Sequence, residues 1–130
     1  MDDLVQWLTA QLDEDEEVAL GTLDIGVRAA MQRGEPVPRW EYEPDSSIRD
    51  QAGTARVKFT WADSAAHIVR HDPARVLREI GGKRRTLIRC QEEMFSGIPR
   101  LVHFAKQTVR EMAAVYEDRP GYEAAVAAFE

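Results

Sequence analysis

The chain has 130 residues, 44% hydrophobic and 31% charged, with a net charge of −6; that mix excludes a disordered tail and suits one globular domain over residues 1–130. Its one cysteine, Cys90, excludes a disulfide framework or a multi-cysteine zinc site within the chain. No apolar run nears the ~18 residues that span a bilayer, and the acidic opening lacks the regions of a signal peptide, so a cytoplasmic protein without membrane contact is expected.

Asp2 and Asp3 suit the start of a first helix. Behind them Leu4, Val5, Leu8, Leu12 and Ala19 fall on one helical face, with Trp7 and Val18 at its edge. Asp13, Glu14, Glu16 and Glu17 lie opposite, whereas Asp15 lands inside the apolar stripe. A short helix over Leu23–Gln32 ends at Gly34, and Pro36 and Pro38 bar any continuation. From Arg39 the period changes. Trp40 and Tyr42 alternate with charged neighbours, and Val57, Phe59 and Trp61 alternate with Arg56, Lys58 and Thr60. With Pro44–Gly53 read as a long loop, the segment predicts a β-hairpin that needs helices to lie against.

Asp63 or Ser64 can cap a helix over Ala65–Arg70. It stops at His71, and Asp72-Pro73 opens the next one with a cap and a first-turn proline. That helix is expected to bury Val76, Leu77, Ile80, Leu87, Ile88, Met94 and Phe95. Arg75, Arg78, Arg85 and Arg89 line its opposite side, and Arg84 projects into the apolar stripe if the helix is continuous. Gly81-Gly82, each costing about 1 kcal/mol relative to alanine, leave that continuity open. After Gly97 and Pro99 comes a helix with Leu101, Val102, Ala105, Val109, Met112 and Tyr116 on one side. Pro120-Gly121 then turns the chain into a short Ala-rich helix. The fold class is mainly α (α+β), helices with one small β-hairpin packed against them.

Charge is segregated. Residues 1–24 carry eight acids and no base, while residues 65–89 carry seven bases against Asp72 and Glu79. Such polarity means either an acidic arm with a basic binding face or two segments that pack on each other. Asp15 and Arg84, the two charges inside apolar stripes, are expected to form a structural ion pair or each to meet another buried partner. Loss of either would then cost ~3–5 kcal/mol.

Three further features bear on chemistry. Asp63, His67 and His71, at spacings of four, could present two imidazoles and a carboxylate to a metal. No glutamate stands between the histidines as a base, and His71 sits where a helix end favours a cation. Arg70, Arg75, Arg78, Arg85 and Arg89 form a basic stripe that could follow a phosphate backbone, yet no helix-turn-helix spacing supports it and no aromatic residues interleave. With His67 and His71, the same arginines are the candidate partner-binding surface. There is no nucleophile elbow and no phosphate-binding glycine loop. Cys90 has no histidine nearby, and His103 lies on a polar face. No enzymatic activity and no cofactor are expected.

The opening Met-Asp-Asp-Leu-Val-Gln-Trp-Leu, the block from Ala65 to Ile80 (Ala-Ala-His-Ile-Val-Arg-His-Asp-Pro-Ala-Arg-Val-Leu-Arg-Glu-Ile) and the ending Tyr116-Glu-Asp-Arg-Pro-Gly-Tyr122 resemble a family of small actinobacterial proteins of unknown function. More distantly, the Trp-bearing strand region followed by Asp-Ala-x-x-Ile and Pro-x-x-Val-Leu resembles small accessory proteins of phages. The chain departs from the family pattern at Gly81-Gly82, in a longer Leu23–Pro38 and in lacking a cysteine pair before the last block, so no metal role built on that pair carries over. The leading reading is a non-enzymatic interaction module that binds a protein partner or itself. A nucleic-acid-binding regulator using the stripe after Pro73 comes second, and a metal-binding protein through His67 and His71 third.

Overall fold

The computed structural model describes residues 3–129; Asp2, expected to help start the first helix, lies outside them. The elements in order are α1 (Asp3–Leu20), α2 (Ile25–Gln32), β1 (Trp40–Tyr42), β2 (Ile48–Asp50), β3 (Ala55–Val57), α3 (Ala62–Arg70), α4 (Pro73–Met94), α5 (Pro99–Ala114) and α6 (Tyr122–Ala128). The chain is therefore mainly helical, with one small antiparallel sheet. It forms two compact units, Met1–Asp15 with Ile80–Glu130 and Glu16–Glu79, and the division falls inside α1 and α4.

The first unit is helical. The apolar stripe of α1 buries Leu4, Val5, Leu8 and Leu12; α4 buries Ile80, Leu87 and Cys90; α5 buries Ala105, Val109 and Ala113. α4 runs unbroken through Gly81 and Gly82. The Arg85 guanidinium lies over that bare backbone, 3.5 Å from where a Gly81 Cβ would stand. Ile80 and Leu87 are buried on either side of the pair. That burial outweighs the glycine penalty. The buried face of α4 is centred between Ile80 and Cys90, which turns the expected core residues Ile88 and Phe95 outward, 54% and 73% exposed.

The ending Tyr116–Tyr122 is a lock on α1. Trp7 Nε1 donates to the Pro120 carbonyl at 2.9 Å, and the Trp7 and Tyr122 rings lie 5.6 Å apart. Gly121 has φ +88, and a Cβ there would stand 2.9 Å from Trp7 Nε1. Only glycine takes that backbone and that gap without strain. Arg119 donates to Asp15 at 2.7 Å and to Gln11 at 3.2 Å, and its guanidinium lies 4.6 Å from the Tyr116 ring centre. Arg84 meets Asp13 at 2.8 Å. The expected Asp15–Arg84 pair is thus replaced by two pairs within this unit. Asp15 and Arg119 keep 25% and 31% of their side-chain exposure, so water still helps solvate them and each is less costly to lose than a fully buried charge.

The second unit holds the sheet, in the order β1-β2-β3 and antiparallel throughout. β1 pairs with β2 at Trp40 opposite Asp50 and Tyr42 opposite Ile48. β2 pairs with β3 at Arg49 opposite Ala55, with a bulge beside Ile48. This corrects the two-stranded hairpin: the Pro44–Gly53 loop contains β2, and Phe59 and Trp61 lie beyond β3, 59% and 75% exposed. The hidden determinant is Asp50, 6% exposed. Its Oδ1 accepts from the Ala52 and Thr54 N–H groups, and its Oδ2 takes Arg56 Nη2 at 2.8 Å. The buried carboxylate thus shapes the β2–β3 turn. Burial raises its pKa, but the Thr54 N–H and the Arg56 guanidinium outweigh that and hold it below the ordinary aspartate range.

Candidate functional site

Two hollows stand out, one in each unit. In the second unit the chain leaves Pro38, passes Arg39 and enters β1 at Trp40, while α3 ends at Arg70 and α4 begins at Pro73. Asp72 joins these strands of structure. Its Oδ1 accepts from the Arg75 N–H at 2.9 Å, the expected cap of α4, and its Oδ2 accepts from the Trp40 N–H at 3.0 Å. Asp72 is only 5% exposed, so both oxygens are committed to backbone. The α3–α4 corner is thereby tied to the start of β1.

Around that tie lies a hollow of about 330 Å³ lined by Arg39, Trp40, Glu41, Val69, Arg70, Asp72, Arg75 and Arg78. Arg75 is held, its Nε donating to Glu79 at 2.8 Å and its Nη1 to the Arg70 carbonyl at 3.0 Å. Among the described residues the guanidinium groups of Arg39, Arg70 and Arg78 make no hydrogen bond and no ion pair. The hollow therefore offers three uncommitted cations and one oriented one. With Glu41 as the one acid of the lining whose carboxylate is not engaged, the lining is predominantly cationic.

The second hollow, of about 310 Å³, lies between α4 and α5 in the first unit and is lined by Thr86, Arg89, Cys90, Glu93, Leu101, Phe104, Ala105 and Thr108. Phe104 on its rim is 73% exposed, as is Phe95, and Ile98 in the α4–α5 connection is 50% exposed. Cys90 is buried at the hollow's edge, and burial pushes its thiol pKa up.

The expected stripe of five arginines is divided by these surroundings. Arg70, Arg75 and Arg78 line the basic hollow, Arg85 folds back over Gly81-Gly82, and Arg89 borders the apolar one. Asp63, His67 and His71 do not converge. α3 begins at Ala62, with Trp61 rather than Asp63 or Ser64 before it, and no side chain caps it. The two imidazoles stack with centres 4.3 Å apart, and His71 Nδ1 lies 2.8 Å from the His67 carbonyl. Among the described residues no three His, Cys, Asp or Glu side chains gather to hold a metal ion. In the sequence Arg39 and Trp40 mark only the start of a strand; a cation beside an aromatic just past two prolines is the available signal. Phe104 lies off the apolar stripe of α5, beside His103, and that position marked it as outward.

Among the described residues no helix is long and apolar enough to cross a membrane. No curated protein and no solved structure matches the chain. A family model does, over residues 1–126, and the chain belongs to that family of unknown function, DUF6221.

Proposed function

We propose that the protein is a non-enzymatic interaction module that engages a second copy of itself or another protein through the outer surface of α4 and α5. The observation that carries this reading is the exposure of Phe104 on the lining of an apolar hollow, with Phe95 and Ile98 also exposed in the α4–α5 connection. Scattered single apolar residues are normal on a surface, but two phenylalanines and an isoleucine on one helical hairpin are the composition of an interface core. Arg89 and Glu93 on the hollow's lining supply the polar rim such an interface has. A place among small accessory proteins of actinobacteria or their phages, suggested by the sequence blocks, fits this role.

Light scattering after size exclusion, over a concentration series at low and high salt, tests it. Apolar association predicts a mass that rises with concentration and does not fall as salt increases. Phe104→Ser should return the chain to a monomer without lowering its melting temperature. If wild type stays monomeric, immobilised wild type and Phe104→Ser are compared for capture from the native host. Equal capture by the two would overturn the reading.

A further inference from the structure

We propose that the arginine-lined hollow of the second unit is a binding site for a small molecule bearing one or two phosphate groups. Four arginines line it from three places: Arg39 before β1, Arg70 at the end of α3, and Arg75 and Arg78 on the first turns of α4. Gathering like charges is unfavourable unless something offsets them. On a chain of net charge −6 there are ample acids to do so, yet among the described residues Arg39, Arg70 and Arg78 have none. Of the two acids on the lining, Asp72 spends both oxygens on the Trp40 and Arg75 N–H groups. Glu41 alone remains. Three unpaired arginines against that one carboxylate leave the lining with an excess of positive charge.

The geometry is also set in advance. Asp72 fastens the residue after Arg39 to the first turn of α4, and the Glu79 carboxylate and Arg70 carbonyl orient Arg75. A ligand would meet fixed backbone and one aligned guanidinium, leaving three side chains to close on it. Phosphate suits this better than a single carboxylate, because its oxygens can accept forked bonds from several guanidinium groups at once. The hollow, at about 330 Å³, falls within the range of small-molecule pockets. A lone inorganic phosphate would leave much of it unfilled, which points to a diphosphate or an organic phosphate. Glu41 on one wall disfavours a long polyanion running through.

Isothermal titration calorimetry of the full chain at low salt, with pyrophosphate, adenosine 5′-monophosphate and a short single-stranded oligonucleotide, tests this. Saturable one-to-one binding of pyrophosphate or the monophosphate is expected. Arg70→Ala and Arg78→Ala should each weaken it about tenfold with unchanged melting temperature, because neither guanidinium supports the fold. Arg89→Ala should leave it unchanged. Absence of saturable binding, or equal weakening by Arg89→Ala, would overturn the proposal. So would tighter binding of the oligonucleotide than of either small anion, which would make the hollow part of a nucleic-acid surface. These outcomes do not depend on Phe104, so this site and the apolar surface are tested separately.

Discussion

Arginine is used in two opposite ways in this protein. At Arg119 the guanidinium is engaged by the fold, bonded to Asp15 and Gln11 and lying over the Tyr116 ring. At Arg39, Arg70 and Arg78, which line an open hollow, it makes no hydrogen bond or ion pair among the described residues, although Glu41 lies on the same lining. Arg119 lies in one of the distinctive sequence blocks and Arg70 and Arg78 in another, so distinctiveness alone does not separate structure from function. Partnership does. Where the donors are met by the chain itself, the motif holds the fold; where they are not, the arginines are left to serve the binding proposed above.

Mutations at the lock should therefore cost stability, and mutations of the unpaired arginines at the hollow should not. The largest loss is expected for Gly121→Val, which forces a branched side chain into a left-handed backbone against Trp7. About 3 kcal/mol is expected, read as a lowered denaturant midpoint. Asp72→Ala comes next at about 2 kcal/mol, because it removes the cap of α4 and strands the Trp40 N–H; urea melts check it, with Asp72→Asn recovering part of the loss. Arg119→Ala should cost about 1–2 kcal/mol rather than the larger penalty of a fully buried pair. A double cycle with Asp15→Asn should show the two losses to be far from additive.

Acid should act on the second unit through Asp50. Its folded pKa is depressed, so its contribution is fully present above the ordinary aspartate range and fades as the pH falls through the folded pKa, from about pH 4 downward. Asp50→Asn should be less stable at neutral pH and flatter across that window, as followed by urea midpoints. The smallest effects belong to the basic hollow. Arg70→Ala and Arg78→Ala should shift stability by no more than about 0.5 kcal/mol. A large loss in either would mean that these arginines support the fold, and the contrast with Arg119 would collapse.

Much of the helical framework could be read from periodicity. The stripe Leu4–Leu12, the Asp72-Pro73 start of α4 and the Pro120-Gly121 turn all stand where the sequence places them, because helix faces and caps are local. The sheet was only half readable. β2 is three residues long with Ile48 as its one large apolar side chain, too short to show alternation, and its anchor is a buried aspartate that resembles any loop residue until its partners are known. For the candidate site, Arg70, Arg75 and Arg78 were visible as a stripe. Arg39 and Trp40 were not, being thirty residues away in the chain.

What the sequence determined by itself is the set of amphipathic helices, the breaks between them and the presence of two charges inside apolar stripes. Periods, prolines and glycines act over a turn or two and need no distant partner. Only the tertiary structure decided that Asp15 answers Arg119 and Arg84 answers Asp13, that Ile88 and Phe95 face outward, and that Arg39 joins Arg70 and Arg78 around one hollow. Those choices depend on which faces meet across long stretches of chain, where pairing, burial and desolvation are settled together.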